Sequence, residues 1–86
     1  MKVYKLIFTK SARKDIEKLD SVTKKRLLNK FKTFAQNPLE YAKKLVNHRI
    51  GTYRWRVGNY RVIFDLDDVE NIAIVLRVRH RKNVYT

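Results

Sequence analysis

The chain has 86 residues, 44% of them hydrophobic, with 21 Lys and Arg against 8 Asp and Glu and a formal net charge of +13. That length supports one small domain spanning residues 1–86, and the hydrophobic share excludes the disordered class despite the charge. Cysteine is absent, which excludes disulfides and thiolate metal sites; His48 and His80 lie too far apart in sequence to suggest a metal centre, and no segment has signal-peptide or membrane-span character, so the expectation is a cytoplasmic protein with no cofactor and no membrane partner.

Val3 to Thr9 is rich in aromatic and β-branched residues and reads as a first strand. Ser11 is placed to cap a short helix in which Ala12, Ile16 and Leu19 fall at helical spacing, while Arg13, Lys14, Asp15, Glu17 and Lys18 fill the other face. Asp20 or Ser21 caps a second helix with an apolar stripe of Leu27, Leu28, Phe31, Phe34 and Ala35, ended by Asn37-Pro38. Its Lys24-Lys25-Arg26 run reads as a solvated face. Residues 39–50 are expected to be irregular. From Tyr53 the apolar period becomes two: Tyr53, Trp55 and Val57 alternate with Arg54 and Arg56, Gly58-Asn59 marks a tight turn, and Tyr60, Val62, Phe64 and Leu66 continue the alternation. After an acidic turn at 67–71, the nearly continuous apolar run Ile72 to Val78 suggests a strand inside the sheet. The order β, α, α, β, β, β predicts an α+β fold: an N-terminal strand, a two-helix hairpin, then a mainly antiparallel sheet of about four strands.

The carboxylates are confined to Asp15, Glu17, Asp20, Glu40, Asp65, Asp67, Asp68 and Glu70, so residues 41–64 and 71–86 are purely basic. A two-residue loop at Gly58-Asn59 would pair Val57 with Tyr60, Arg56 with Arg61 and Trp55 with Val62. The apolar members then face the helices, and Arg54, Arg56 and Arg61 face away. Arg77, Arg79 and Arg81 share one parity and can join that face if the register cooperates. A merely solubilising face mixes both signs of charge, and this one does not. Unmixed cations beside aromatics suit phosphate backbones and unstacked bases, so the expected ligand is nucleic acid, RNA in particular.

The hairpin Tyr53-Arg54-Trp55-Arg56-Val57-Gly58-Asn59-Tyr60-Arg61, the Asn37-Pro38-Leu39 break and the closing Arg79-His80-Arg81-Lys82-Asn83-Val84-Tyr85 resemble the RelE family of bacterial and archaeal toxins. The resemblance spans essentially the whole chain. It implies a RelE-like βααβββ toxin that enters the ribosomal A site and cuts messenger RNA, held inactive by a RelB-like antitoxin. It also implies ribonuclease-like chemistry, in which the 2′-hydroxyl attacks the adjacent phosphate to leave a 2′,3′-cyclic phosphate and a free 5′-hydroxyl. By matched position, Arg54, Arg56, Arg61, Arg81 and Tyr85 are the expected catalytic set, with Arg61 and Arg81 on the phosphate and Tyr85 stacking or orienting the base. Lys43, Lys44, Arg49, Arg77, Arg79, His80 and Lys82 are the expected contacts to RNA or ribosome.

Two departures stand out. Relatives carry lysine where this chain has Arg54 and Arg56, and an arginine keeps its proton, so no general base is evident. His80 is of the residue type that commonly serves as one, but its parity points it away from Arg79 and Arg81. Relatives also often have glycine at the place of Arg79. Two other readings follow: a ParE-like inhibitor of DNA gyrase, and a non-catalytic nucleic-acid-binding relative of the toxins.

Overall fold

In a computed structural model, which describes residues 3–44, 53–80 and 82, the elements run β1 (Lys5–Phe8), α1 (Lys10–Glu17), α2 (Ser21–Gln36), β2 (Lys43–Lys44), β3 (Tyr53–Val57), β4 (Tyr60–Asp67) and β5 (Ile72–His80). They form one sheet in the order β1-β5-β4-β3-β2. The β1–β5 pair is parallel and the others antiparallel. The α+β architecture expected from the sequence is present, and β5 lies inside the sheet as its apolar run suggested. The sheet gains a fifth, two-residue strand, β2, from the stretch expected to be irregular; its pairing with Tyr53 and Arg54 of β3 supplies an order that local periodicity does not reveal.

The caps show how local and tertiary demands combine. Thr9, not Ser11, caps α1: its Oγ1 accepts the Ala12 N–H at 3.1 Å and donates to the Leu76 carbonyl at 2.9 Å. A hydroxyl that satisfies both the helix end and a strand outcompetes one that could satisfy only the helix. Asp20 caps α2 by accepting the Thr23 N–H at 3.2 Å. α2 ends at Gln36, and the buried Pro38 that follows offers its carbonyl to Trp55 Nε1–H at 2.8 Å.

Both helices pack on one face of the sheet. Ala12, Leu27, Phe31 and Phe34 meet Trp55, Val57, Val62, Phe64, Ala73, Val75 and Val78 in the core. Trp55 is wholly buried there, stacked against Phe34 and Phe64 with ring centres 4.6 and 3.7 Å away. The hairpin register is the one that the two-residue loop dictates: Val57 opposite Tyr60, Arg56 opposite Arg61, Trp55 opposite Val62. Gly58 takes φ +58°, and the turn has positive φ at its first central residue only, as a type II′ hairpin requires.

A bulge in β5 decides the other half of the sheet. Ile63 pairs with Arg77 but Phe64 with Val75, so Leu76 has no opposite partner. Ala73 and Val75 are buried before the bulge and Val78 after it. Strict alternation from Val75 would send Arg77 and Arg79 into the core; the extra residue turns them out of it.

Candidate functional site

The bulge and the tight hairpin together build a row of arginines across three strands. Arg56 on β3 lies opposite Arg61 on β4, and Arg61 lies opposite Arg79 on β5. The next row is Lys43, Arg54, Ile63 and Arg77. Strands are about 4.8 Å apart, so the three arginines span roughly 10 Å of the face away from the helices. Ile63 is only 2% exposed although it stands outside the main core cluster, and it forms an apolar floor between Arg54 and Arg77. Like charges directly opposite each other cost the free sheet a fraction of a kcal/mol per pair, which a bound polyanion would reverse.

Arg77 is committed to the scaffold. Its Nε and Nη2 donate to the two Asp15 oxygens at 2.8 and 3.1 Å, and Asp15 Oδ2 also accepts the Val78 N–H at 2.9 Å. Burial pushes the Asp15 carboxyl up, but these bonds and the charges of Arg77 and Arg79 outweigh it and hold it below the usual carboxylate range; Asp15 in turn raises Arg77. The α1 helix and its cap thereby hold the backbone at the bulge and just beyond it, Thr9 at Leu76 and Asp15 at Val78. Neither residue was marked by the sequence. A single Asp on a polar helix face, and a Thr beside a plausible Ser cap, give no local signal of a long-range role.

His80 stands where its parity put it, on the helix side, opposite Tyr60 and edge-on to its ring with centres 5.2 Å apart. Its Nδ1 accepts the Lys82 N–H at 3.3 Å. It is therefore turned away from the arginine row. Lys43 and Lys82 are exposed, Arg56 is exposed, and Arg54, Arg61 and Arg79 are half-buried along the sheet. Lys44 belongs to β2 by its backbone. Arg49, Arg81 and Tyr85, three of the expected site residues, lie outside the described residues. Among the described residues no cluster of three or more His, Cys, Asp or Glu could hold a metal ion, and no helix is long and apolar enough to cross a membrane.

A two-layer fold of this order with a cationic sheet face is that of the small toxins of type II toxin-antitoxin systems. The family model described as the ParE toxin of the type II toxin-antitoxin system, parDE, matches residues 6–85, and the chain belongs to this RelE/ParE superfamily. It is 34% identical to Toxin RelG of Mycobacterium tuberculosis over an 87-residue alignment that covers 95% of both chains. Among solved structures it is similar to a chain of the toxin-antitoxin complex RelBE2 of M. tuberculosis, with a TM-score of 0.83 and 32% identity over 92% of this chain and 99% of the other. It is also similar to a chain of the intact Escherichia coli RelBE complex, with a TM-score of 0.75 and 25% identity over 90% and 95%.

Proposed function

We propose that this type II toxin is a ribosome-dependent mRNA endoribonuclease of the cytoplasm. The observation that carries the proposal is the Arg56–Arg61–Arg79 row, three cations aligned at paired positions across three strands. Planar guanidinium groups donate paired hydrogen bonds to phosphate and stabilise the charge of a phosphorane. Arg61 and Arg81 would hold the scissile phosphate, Arg54 and Arg56 would add to the field, and Tyr85 would stack or orient the base. Attack by the 2′-hydroxyl oxygen on the adjacent phosphorus forms the cyclic phosphate and breaks the bond to the 5′-oxygen; the proton given up by the 2′-hydroxyl is balanced by the one taken up by the leaving 5′-oxygen, so the step consumes no water. With arginines in place of lysines and His80 turned away, catalysis rests on electrostatic stabilisation and on the ribosome's alignment of the message. Lys43, Lys44, Arg49, Arg79 and Lys82 would contact the ribosome or the flanking RNA.

A RelB-like antitoxin is the expected protein partner, because the similar solved chains come from RelB complexes and an acidic amphipathic segment would neutralise this face. The ParE designation of the matching family model favours a second reading, inhibition of DNA gyrase. Primer extension on a defined message in a translating extract separates the two. The RelE-like reading expects cuts within codons that require translating ribosomes. Intact messages together with trapped gyrase-cleaved DNA would replace it with the gyrase reading. Intact messages with ribosomes bound would leave a non-catalytic binding protein.

A further inference from the structure

A second concave surface lies around the edge of β5 from the arginine row. β1 pairs with β5 only from Ile72 to Val75, so beyond that point α1 and Leu19 stand beside β5 instead of a strand. Between them is an open cleft of about 480 Å3. Asp15, Lys18 and Leu19 form one wall; Arg77 to His80, with Tyr60, form the other. The carboxylate of Asp15 is neutralised by Arg77 and by the Val78 N–H. The rest of the lining is cationic and aromatic: it includes Lys18, Arg79 and His80, with the Tyr60 and His80 rings set nearly perpendicular at 87° and Leu19 as an apolar wall.

Arg79 belongs to both surfaces. It ends the row that begins at Arg56, and it lines the cleft. A single strand laid across β3, β4 and β5 would therefore run off the end of the row into the cleft, with no acidic group to cross that is not already paired. We infer that this cleft is a nucleotide subsite, which takes the base and phosphate of the single-stranded RNA residue next to the one held over Arg61. An aromatic corner for the base and separated cations for the phosphate are the chemistry that binding unpaired RNA needs. The inference rests on the reading of RNA as the ligand, and it assigns to Lys18, Leu19 and Tyr60 a part that the arginine row does not include.

Titrating isotope-labelled protein with a single-stranded RNA dinucleotide and then a trinucleotide, and following backbone amide signals, tests it. The trinucleotide should move Lys18, Leu19 and His80 as well as Arg56 and Arg61, whereas the dinucleotide moves the row alone. Lys18→Glu should weaken the trinucleotide roughly five-fold and leave the dinucleotide unchanged, as expected for loss and reversal of one phosphate-directed charge. Lys18 is exposed, and Lys18→Ala gives a second variant if the charge reversal disturbs the helix end. Trinucleotide shifts confined to the row, with no effect of Lys18→Glu, would overturn the subsite and leave the RNA reading standing. Absence of shifts with either oligonucleotide would overturn the subsite, while the cleavage reading stands or falls by primer extension on translating ribosomes. Shifts at Lys18 and Leu19 with a glutamate-rich peptide but not with the trinucleotide would assign the cleft to a protein partner and overturn the subsite.

Discussion

The Asp15 side chain is 12% exposed and accepts three hydrogen bonds, two from Arg77 and one from the Val78 N–H. Its folded-state pKa lies below the ordinary value of 3.8, so its contribution to stability is complete above 3.8 and is lost as pH falls through 3.8 toward the folded value. Asp15→Asn should cost about 1–2 kcal/mol at pH 7, less than a fully buried pair because Arg77 is 34% exposed. Urea unfolding of the variant and the wild type should show that difference at pH 7 and a progressively smaller one as pH falls below 3.8. Arg61 differs in that its cross-strand neighbours are Arg56 and Arg79, so the repulsion that Arg61→Ala relieves offsets the contacts it removes, and stability should change by no more than about 1 kcal/mol. Its cleavage rate should nevertheless fall by about 10²–10³, or roughly 3–4 kcal/mol, as when one preorganised donor to a developing charge is removed. Single-turnover cleavage beside a thermal melt separates these two effects.

The hairpin of β3 and β4 was legible in full because both of its determinants are local. Gly58 at φ +58° fixes the loop length, and the two-residue period then fixes every pair and both faces. Gly58→Ala should cost about 1 kcal/mol, since the turn holds this position in a left-handed backbone that a Cβ disfavours, and the new Cβ meets Arg26 Nη1 at 3.3 Å; a lower urea midpoint at unchanged slope is the expected result. Trp55 between two arginines was likewise legible as core, and Trp55→Phe should destabilise by about 1–2 kcal/mol by leaving the buried Pro38 carbonyl without its donor. The end of β5 was not legible. Ile72 to Leu76 is apolar on both parities, so nothing in the sequence marks Leu76 as the extra residue, and the position of Arg77 and Arg79 depends on that bulge. The α1 contacts that satisfy the bulge, from Thr9 and Asp15, join residues more than 60 positions apart and leave no trace in local periodicity. Strand β2 was missed for a related reason: two residues are too short to carry a period, and only the edge of β3 orders them.

At the scale of the whole molecule, a net charge of +13 on 86 residues makes any encounter with an anionic partner strongly steered. Association with an acidic antitoxin segment should slow by about tenfold or more as salt rises from low to several hundred millimolar, with dissociation much less affected. Stopped-flow measurements across that range would show it. Charge alone, however, is spread over helices and sheet alike, whereas the alignment of Arg56, Arg61 and Arg79 is confined to one face. The central claim is that this alignment, and not the total charge, makes the toxin act. The most direct test is the single-turnover cleavage rate of message on programmed ribosomes for Arg61→Ala beside Lys32→Ala, which removes the same charge from the exposed side of α2. The account predicts a loss of about 10²–10³ for Arg61→Ala and less than about three-fold for Lys32→Ala. Equal losses in the two variants, or full activity in Arg61→Ala, would contradict it.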